Sequence, residues 1–100
     1  MKIVDSSGWV EFFTAGPLAD SYAAHLRDLR EIITPTVVLY EVYKVIKRGR
    51  SEEEALVAAA QIGKSRIVPL TDRIALTAAD VSLARRLAMA DAIVYATAVS

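Results

Sequence analysis

Three short apolar segments, far apart in the chain, most constrain how this sequence can fold. Residues 2–4, 31–34 and 66–70 each have the character of a brief strand, and each is followed by a longer stretch with helical periodicity. Strands that are separated by helices cannot form hairpins, so they pair in parallel with the helices covering the sheet. The sequence therefore predicts an α/β sandwich built on a short parallel sheet.

The stretches between these strands predict helices with recognisable ends. Ser51 and Glu54 form a capping box at the head of a run of three acids, which is the clearest local signal in the chain. Pro35 suits a first helical position and Gly49 a C-terminal cap. The predicted helices begin with a cap at Ser6-Ser7-Gly8 and continue over residues 18–30, 35–48, 51–62, 73–87 and 90–99, with Thr71 or Asp72 capping the fifth.

Composition limits the class of protein. The chain has 100 residues, enough for one small domain, and its 12 basic and 12 acidic side chains cancel. A balanced charge means that any nucleic-acid binding must come from a local patch. The chain has no cysteine, which excludes disulfides, thiolate zinc sites and a cysteine nucleophile and fits a reducing compartment. With no membrane-length apolar run and no signal peptide, we expect a soluble cytoplasmic protein.

Three acidic residues each stand alone among apolar neighbours. Asp5 ends the first strand, Glu41 lies in the third helix and Asp91 lies in the first turn of the last helix. A carboxylate in apolar surroundings is costly unless it is paired, protonated or bound to a metal, and hard cations such as Mg²⁺ take oxygen ligands. The competing interpretations are local: Asp5 caps a helix, Glu41 pairs with Lys44, and Asp91 is favoured by the helix dipole.

With these segments placed, the sequence resembles the PIN domain, specifically the VapC-type toxins of prokaryotic toxin–antitoxin pairs. The resemblance covers the whole chain, with the matching pieces in the family's order and spacing. It implies a PIN-like three-layer α/β/α sandwich. The matching residues are Ile3-Val4-Asp5-Ser6-Ser7, Thr34-Pro35-Thr36-Val37-Val38-Leu39-Tyr40-Glu41-Val42 and Met89-Ala90-Asp91-Ala92-Ile93-Val94-Tyr95-Ala96-Thr97-Ala98.

The resemblance also implies a function. PIN-domain toxins are generally Mg²⁺- or Mn²⁺-dependent ribonucleases, in which acidic residues hold a metal that activates water against an RNA phosphodiester. By resemblance, Asp5, Glu41 and Asp91 are the catalytic residues and the metal ligands or their close supports, and Ser6 lies beside the metal. The implied partners are an RNA substrate and a cognate antitoxin, and so thin a domain favours a homodimer.

One departure from the family pattern concerns the end of the chain. In this family the last helix is normally followed by a fourth strand and a further acidic residue, whereas this sequence ends at Ser100 before either. We therefore expect a PIN-like domain that lacks its C-terminal strand and exposes an edge of the first strand. The alternative function is a catalytically impaired module that dimerises or binds antitoxin.

Two groups of side chains have open interpretations. Four cations near the end of the third helix either bind RNA or complement the helix dipole: Lys44, Lys47, Arg48 and Arg50. An apolar set on the first two helices belongs to the core or forms a groove for an antitoxin helix: Trp9, Phe12, Phe13, Tyr22 and Leu26. Four further polar residues are expected to lie at the surface or to cap helices: Glu11, His25, Asp72 and Asp80.

Overall fold

The three predicted strands form one parallel sheet in the computed structural model, which describes residues 2–100. Strand β1 (Lys2–Ile3) pairs with β2 (Ile32–Pro35), and β2 pairs with β3 (Arg66–Val68), so the strand order is β1-β2-β3. The third strand is shorter than predicted because Pro69 has no N–H to donate to the sheet. The expected short parallel sheet is confirmed.

Helices connect and cover these strands. Within residues 2–100 they are α1 (Ser6–Phe13), α2 (Ala19–His25), α3 (Thr36–Gly49), α4 (Glu52–Ile62), α5 (Asp72–Arg85) and α6 (Met89–Val99). Right-handed crossovers from β1 to β2 and from β2 to β3 place α1–α4 on one face of the sheet. Helices α5 and α6 pack on each other as a separate hydrophobic cluster, and α6 contacts β2. The result is the expected three-layer α/β/α sandwich.

Helix starts follow capping chemistry, with one correction. Ser51 caps α4 and Thr71 caps α5, as predicted. The cap of α1 is Asp5, not the Ser6-Ser7-Gly8 segment, because Asp5 Oδ1 accepts a hydrogen bond from the Gly8 N–H at 2.9 Å. A carboxylate near the helix N-terminus also gains from the helix dipole. The local interpretation of Asp5 is therefore correct, and it leaves one carboxylate oxygen for other partners.

The second helix is much shorter than the predicted span of residues 18–30. Helix α2 ends at His25, and a 3₁₀ turn at Leu29–Glu31 leads into β2. Asp28 stabilises that turn, because its Oδ1 accepts the Arg30 N–H at 3.1 Å. An Asp side chain that bonds the backbone two residues on favours a turn over a helix. Leu26, which the apolar spacing placed inside the predicted helix, is buried in the core although it follows the end of α2.

The boundaries of α3 differ from the prediction by one residue. Pro35 is the last residue of β2 and the N-cap, with an extended backbone at φ −60° and ψ 143°, so the helix begins at Thr36. Gly49 is the last helical residue, and Arg50 takes the C-cap position. The fixed φ of proline is compatible with both strand and helix, which is why the sequence did not separate the two roles.

The main core lies between the sheet and the helices of the first face. Helix α3 contributes Val38, Val42 and Ile46, spaced by four residues so that they form one ridge. This ridge packs against α4, whose buried positions are Ala55, Ala58 and Ile62. The small alanines let the two helices approach closely. No helix within residues 2–100 combines the length and apolarity needed to cross a membrane.

A candidate carboxylate cleft between β1 and α6

A cleft of about 680 Å³ opens beside β1. Within residues 2–100, β1 pairs only with β2, and the residues of β1 also line this cleft. Three elements and the residues next to them form its walls: β1, α2 and α6. The lining residues are Lys2, Ile3, Val4, Asp5, Tyr22, His25, Leu87, Asp91, Val94, Tyr95 and Ala98.

Asp5 reaches this cleft because it follows the carboxyl end of β1. Parallel α/β sheets build their sites at that end of their strands. Its Oδ1 is held by two donors, the Gly8 N–H at 2.9 Å and the Ser7 hydroxyl at 3.0 Å. These bonds orient the carboxylate while the residue as a whole stays exposed. Asp5 is therefore positioned but accessible.

Asp91 reaches the same cleft from the opposite wall. It lies in the first turn of α6, and the cleft-lining residues of that helix are Asp91, Val94, Tyr95 and Ala98. Their spacing of three, four and seven residues defines one helix face. The neighbouring face, with Ala92, Ile93 and Ala96, is buried in the second hydrophobic cluster. Burial of that face fixes the rotation of α6 and so places Asp91 at the cleft that Asp5 also lines.

Glu41 is not a lining residue of the cleft. It lies half-buried in the second turn of α3. The alternative pairing with Lys44 is not formed either, since the Lys44 ammonium lies 3.4 Å from the Tyr40 hydroxyl and 5.4 Å from the centre of its ring. Within the described part of the chain, no three His, Asp or Glu side chains are grouped closely enough to share a metal ion. Asp5 and Asp91 thus line one cleft, and the convergence of all three acids on a metal stays a prediction.

The two cleft acids are also less buried than the sequence suggested. Asp5 and Asp91 are both exposed, although each is flanked by apolar residues. Val4 before Asp5 and Ala92 after Asp91 are buried in the core, whereas the two acids lie at its edge. The isolation of an acid in an apolar stretch therefore signals a site at the rim of the core, not a buried charge.

Cationic groups adjoin the carboxylates. Lys2 Nζ lies 3.3 Å from His25 Nδ1 within the cleft. A lysine ammonium can only donate, so in a hydrogen bond between these two groups the imidazole nitrogen is the acceptor. On the other wall, the Arg85 guanidinium stacks 4.8 Å from the centre of the Tyr95 ring. The sequence did not identify Lys2 or His25 as site residues. Its only indication was their position on β1 and α2, which form walls of the cleft.

Ser6 is not among the residues that line this cleft, and its position beside a metal stays a prediction. It borders a different surface depression, with Ser7, Val10 and Glu11. The serine that contacts the candidate site is Ser7, through its bond to Asp5. The two serines differ by one position at the start of a helix, which turns their side chains about 100° apart.

The basic cluster at the end of α3 is largely paired with α4. Lys47 Nζ lies 3.2 Å from Glu52 Oε1, and the Arg50 guanidinium lies 3.1 Å from Glu54 Oε1. The hydrogen bond from Arg50 lowers the pKa of the Glu54 carboxyl. These four groups therefore neutralise one another. Lys44 and Arg48 form no ion pair within residues 2–100 and are the cations that the cluster leaves for other partners.

The proposed antitoxin groove divides between core and surface. Trp9 is completely buried and Leu26 is 6% exposed, so both belong to the core and neither is accessible in the folded chain. Phe12, Phe13 and Tyr22 are partly buried against that core. The Phe12 and Phe13 rings contact each other, with centres 5.2 Å apart, and Tyr22 lines the cleft beside β1.

Gly8 allows the close packing that places one of these rings. A Cβ at this position would lie 2.6 Å from Tyr22 Cε1 and 2.9 Å from Val4 Cγ1. Both distances are shorter than side-chain contacts permit, so any larger residue must displace Tyr22. Because Tyr22 lines the cleft and the Gly8 N–H bonds Asp5, this glycine connects the packing of α1 and α2 to the candidate site.

The donor set of the cleft fits a magnesium-type cation. Mg²⁺ is commonly bound through one or two carboxylates together with waters and substrate phosphates, so a dedicated cage of three acids is not required. Asp5 keeps Oδ2 free of protein hydrogen bonds in the described residues, and Asp91 faces the same space. The cleft is therefore a candidate cation site on a parallel α/β sheet, lined by two accessible carboxylates, a lysine and an exposed histidine.

Comparison with known proteins agrees with this class. The sequence profile of the PIN domain matches residues 2–100, so the chain belongs to the PIN domain family. No protein of established function matches it significantly as a sequence. The fold is similar to that of VapC20 from Mycobacterium tuberculosis, described as a toxin that cleaves the sarcin–ricin loop. The TM-score is 0.80 at 22% identity, covering 97% of this chain and 80% of that one.

A second solved structure gives the same result for the fold. It is a toxin–antitoxin complex from Klebsiella pneumoniae, with a TM-score of 0.78 at 19% identity, covering 98% of this chain and 78% of that one. The resemblance to PIN domains that the three sequence pieces indicated is confirmed by the family match and by both structures.

Proposed function

We propose that this protein is a Mg²⁺- or Mn²⁺-dependent endoribonuclease that acts as the toxin of a toxin–antitoxin pair. The observation that carries the proposal is the meeting of Asp5 and Asp91 in one cleft at the carboxyl end of β1. Membership of the PIN domain family supports it, as does the likeness in fold to a toxin described as cleaving the sarcin–ricin loop.

The side chains at and around the cleft have different roles in this proposal. Asp5 and Asp91 hold the divalent cation, Ser7 orients Asp5, and Glu41 supports the site from α3. A bound cation of this kind lowers the pKa of water and offsets negative charge on a phosphodiester. Lys2 offers a cation to RNA phosphate at the same cleft, and Lys44 and Arg48 extend the contact with RNA along α3.

The proposed partners follow from the surface. An amphipathic helix of a cognate antitoxin docks on the rings of Phe12, Phe13 and Tyr22, which supply the apolar anchors such a helix needs. The protein forms a homodimer, as is common for small domains with self-complementary surfaces. It acts in the cytoplasm, where its RNA substrate is found.

A second candidate function is favoured by a specific observation. Glu41 is absent from the cleft lining, and two carboxylates bind a cation more weakly than three would. A module with so few ligands would bind antitoxin or a second copy without turning over RNA. This candidate predicts that replacing Asp5 leaves antitoxin binding unchanged.

One experiment tests both candidates. Purified protein is incubated with structured RNA and Mn²⁺, with an EDTA control, and the melting temperature is measured in parallel with and without Mn²⁺. The variants are Asp5→Asn, Asp91→Asn and Glu41→Gln, with Asp20→Asn as the matched control, since Asp20 is an exposed acid of α2 that does not line the cleft. Asparagine is chosen because it retains the capping oxygen of Asp5.

The expected result is a rise in melting temperature with Mn²⁺ in the parent chain, since a ligand at about 100 times its Kd stabilises the native state by about 2.7 kcal/mol. Asp5→Asn and Asp91→Asn should lose both this rise and RNA cleavage, Glu41→Gln should lose less, and Asp20→Asn should match the parent. Stabilisation without cleavage would favour the binding module. No change in melting temperature and no RNA cleavage with Mn²⁺ would refute the metal site.

A further inference from the structure

The cleft beside β1 has two ends of opposite charge. Lys2 is the first residue of β1, Asp5 follows the end of the strand, and both line the cleft. Three residues of extended chain separate their Cα atoms by roughly 10 Å. The proposed metal site therefore lies at one end of the cleft, and a lysine of unassigned position toward RNA lies at the other.

Helix α2 runs along the cleft between these two ends. Tyr22 lies at the Asp5 end, since its Cε1 atom would be 2.6 Å from a Cβ at Gly8, and the Gly8 N–H donates to Asp5. One helical turn later His25 lies at the other end, where its Nδ1 is 3.3 Å from Lys2 Nζ. Lys2 and His25 thus form a pair of polar groups from two different elements.

This pair lacks an anionic partner in the described part of the chain. Both residues are exposed, and within residues 2–100 neither forms an ion pair. A lysine ammonium has three donors, of which the contact with His25 uses one. An imidazole that accepts through Nδ1 carries a proton on Nε2 and can donate it to a further acceptor. The pair therefore offers several donors to one anion, and phosphate oxygens are acceptors of this kind.

We propose that Lys2 and His25 form a second phosphate subsite, which holds a phosphodiester of RNA that flanks the one being cleaved. The scissile phosphate lies at the Asp5 end, where the proposed cation binds, and the flanking phosphate lies at the Lys2 end. The RNA strand thus runs along β1. The inference rests on the proposed function, because it takes RNA as the ligand of this cleft, and it adds the contact that positions the strand.

The lining between the two ends favours a nucleotide as the occupant. The remaining residues of the cleft are mainly apolar or aromatic: Val4, Tyr22, Leu87, Val94, Tyr95 and Ala98. A ligand that suits the cleft has two anionic groups joined by a less polar unit, which describes two phosphates and the nucleoside between them. The volume of about 680 Å³ is that of a pocket for one small molecule, so a single strand enters it.

The salt dependence of RNA binding tests the subsite without any cleavage. The probe is a short fluorescein-labelled single-stranded RNA, and its anisotropy is measured in EDTA over a series of salt concentrations. Lys2→Gln should weaken binding about tenfold and reduce the slope of log K against log salt by about 0.7, because one phosphate contact is lost. Lys2→Arg retains the charge and should retain the slope.

Two further variants separate the roles of charge and hydrogen bonding. His25→Ala should weaken binding about threefold with little change in slope, since a neutral donor releases no counterion. Lys64→Gln is the matched control for Lys2→Gln. Lys64 is an exposed lysine after α4 that does not line the cleft and forms no ion pair within residues 2–100. It should match the parent chain in affinity and slope. Circular dichroism confirms that each variant is folded.

RNA with one uncharged linkage locates the flanking phosphate. A methylphosphonate replaces each linkage on either side of the cleaved bond in turn, and kcat/KM is measured with Mn²⁺. The parent chain should lose about tenfold at one flanking position, because the Lys2 contact loses its charged acceptor. Lys2→Gln should be insensitive at that position, whereas Lys64→Gln should lose as much as the parent.

The outcomes separate this inference from the nuclease proposal. An unchanged salt slope in Lys2→Gln would overturn the subsite, and so would an equal reduction of the slope in Lys64→Gln. Cleavage by Lys2→Gln that stayed as sensitive as the parent to every methylphosphonate would also overturn it. A parent chain that bound RNA through Lys2 but did not cleave it would refute the nuclease and keep the subsite. A parent chain that bound no RNA would refute both.

Discussion

The α3–α4 pair and the cleft between β1 and α6 show two different uses of the same kinds of residue. In the α3–α4 pair the apolar ridge is buried, and Glu52 and Glu54 of α4 pair at 3.2 and 3.1 Å with Lys47 of α3 and with Arg50 at its C-cap. In the cleft the acids Asp5 and Asp91 are exposed, and neither forms an ion pair within residues 2–100. Charges that neutralise one another support the fold, whereas charges left without such partners are available for a ligand.

This difference explains why the cleft is the better candidate for function. An exposed carboxylate that has no ion-pair partner in the protein is available to a cation from solution. The molecule retains two of them beside β1, although α3 and α4 show that it can pair acids and bases elsewhere. Three changes, ordered by the size of the expected effect, test how far the two regions differ.

The largest effect is expected in the α3–α4 core. Ile46 is 2% exposed, so Ile46→Ala removes buried methyl groups and leaves a cavity that costs about 2–5 kcal/mol of unfolding free energy. Denaturant titration followed by circular dichroism measures the loss. Its neighbour Val45 is 38% exposed, and Val45→Ala should cost less than about 1 kcal/mol. Equal losses in the two variants would show that α3 is not anchored through this ridge.

A smaller effect separates the two roles of Asp5. Asp5→Ala removes the cap of α1 and should lower the unfolding free energy by about 1 kcal/mol, while Asp5→Asn keeps a capping oxygen and should stay near the parent value. Both variants should lose the rise in melting temperature caused by Mn²⁺, since both remove the carboxylate. If Asp5→Asn retained that rise, the cap would be the only role of Asp5.

The smallest effect is expected from pH at the α3–α4 ion pairs. The hydrogen bond from Arg50 lowers the pKa of Glu54 below its ordinary value of 4.5, so the folded state favours the ionised carboxylate. Its contribution to stability is present above pH 4.5 and is lost as pH falls through the lower, folded pKa. The contribution is small because the pair is exposed to solvent. The melting temperature should therefore fall slightly more in acid for the parent than for Glu54→Gln.

A parent chain that behaved like Glu54→Gln at every pH would show that this ion pair does not contribute to the fold. If the melting temperature of Glu54→Gln still fell steeply in acid, other carboxylates would cause that fall. Asp28 would be the next residue to replace, because the hydrogen bond from Arg30 lowers its pKa in the same way.

The sequence predicted correctly those features that depend on residues close together in the chain. The caps at Ser51 and Thr71 and the parallel order of the strands were all predicted, because each depends on residues a few positions apart or on the alternation of strand and helix. The predicted length of the second helix was wrong, and the reason is also local. Asp28 competes for the backbone within its own turn, and an apolar spacing that suits a helix does not reveal that competition.

The sequence by itself thus determined the order of the elements, the class of fold and the identity of the three isolated acids. Only the tertiary structure decided that Asp5 and Asp91 share a cleft while Glu41 does not line it, that Trp9 belongs to the core, and that the leucines of α5 face solvent. Each of these depends on how a helix is rotated about its axis. That rotation is set by packing between segments far apart in the chain, which no local pattern records.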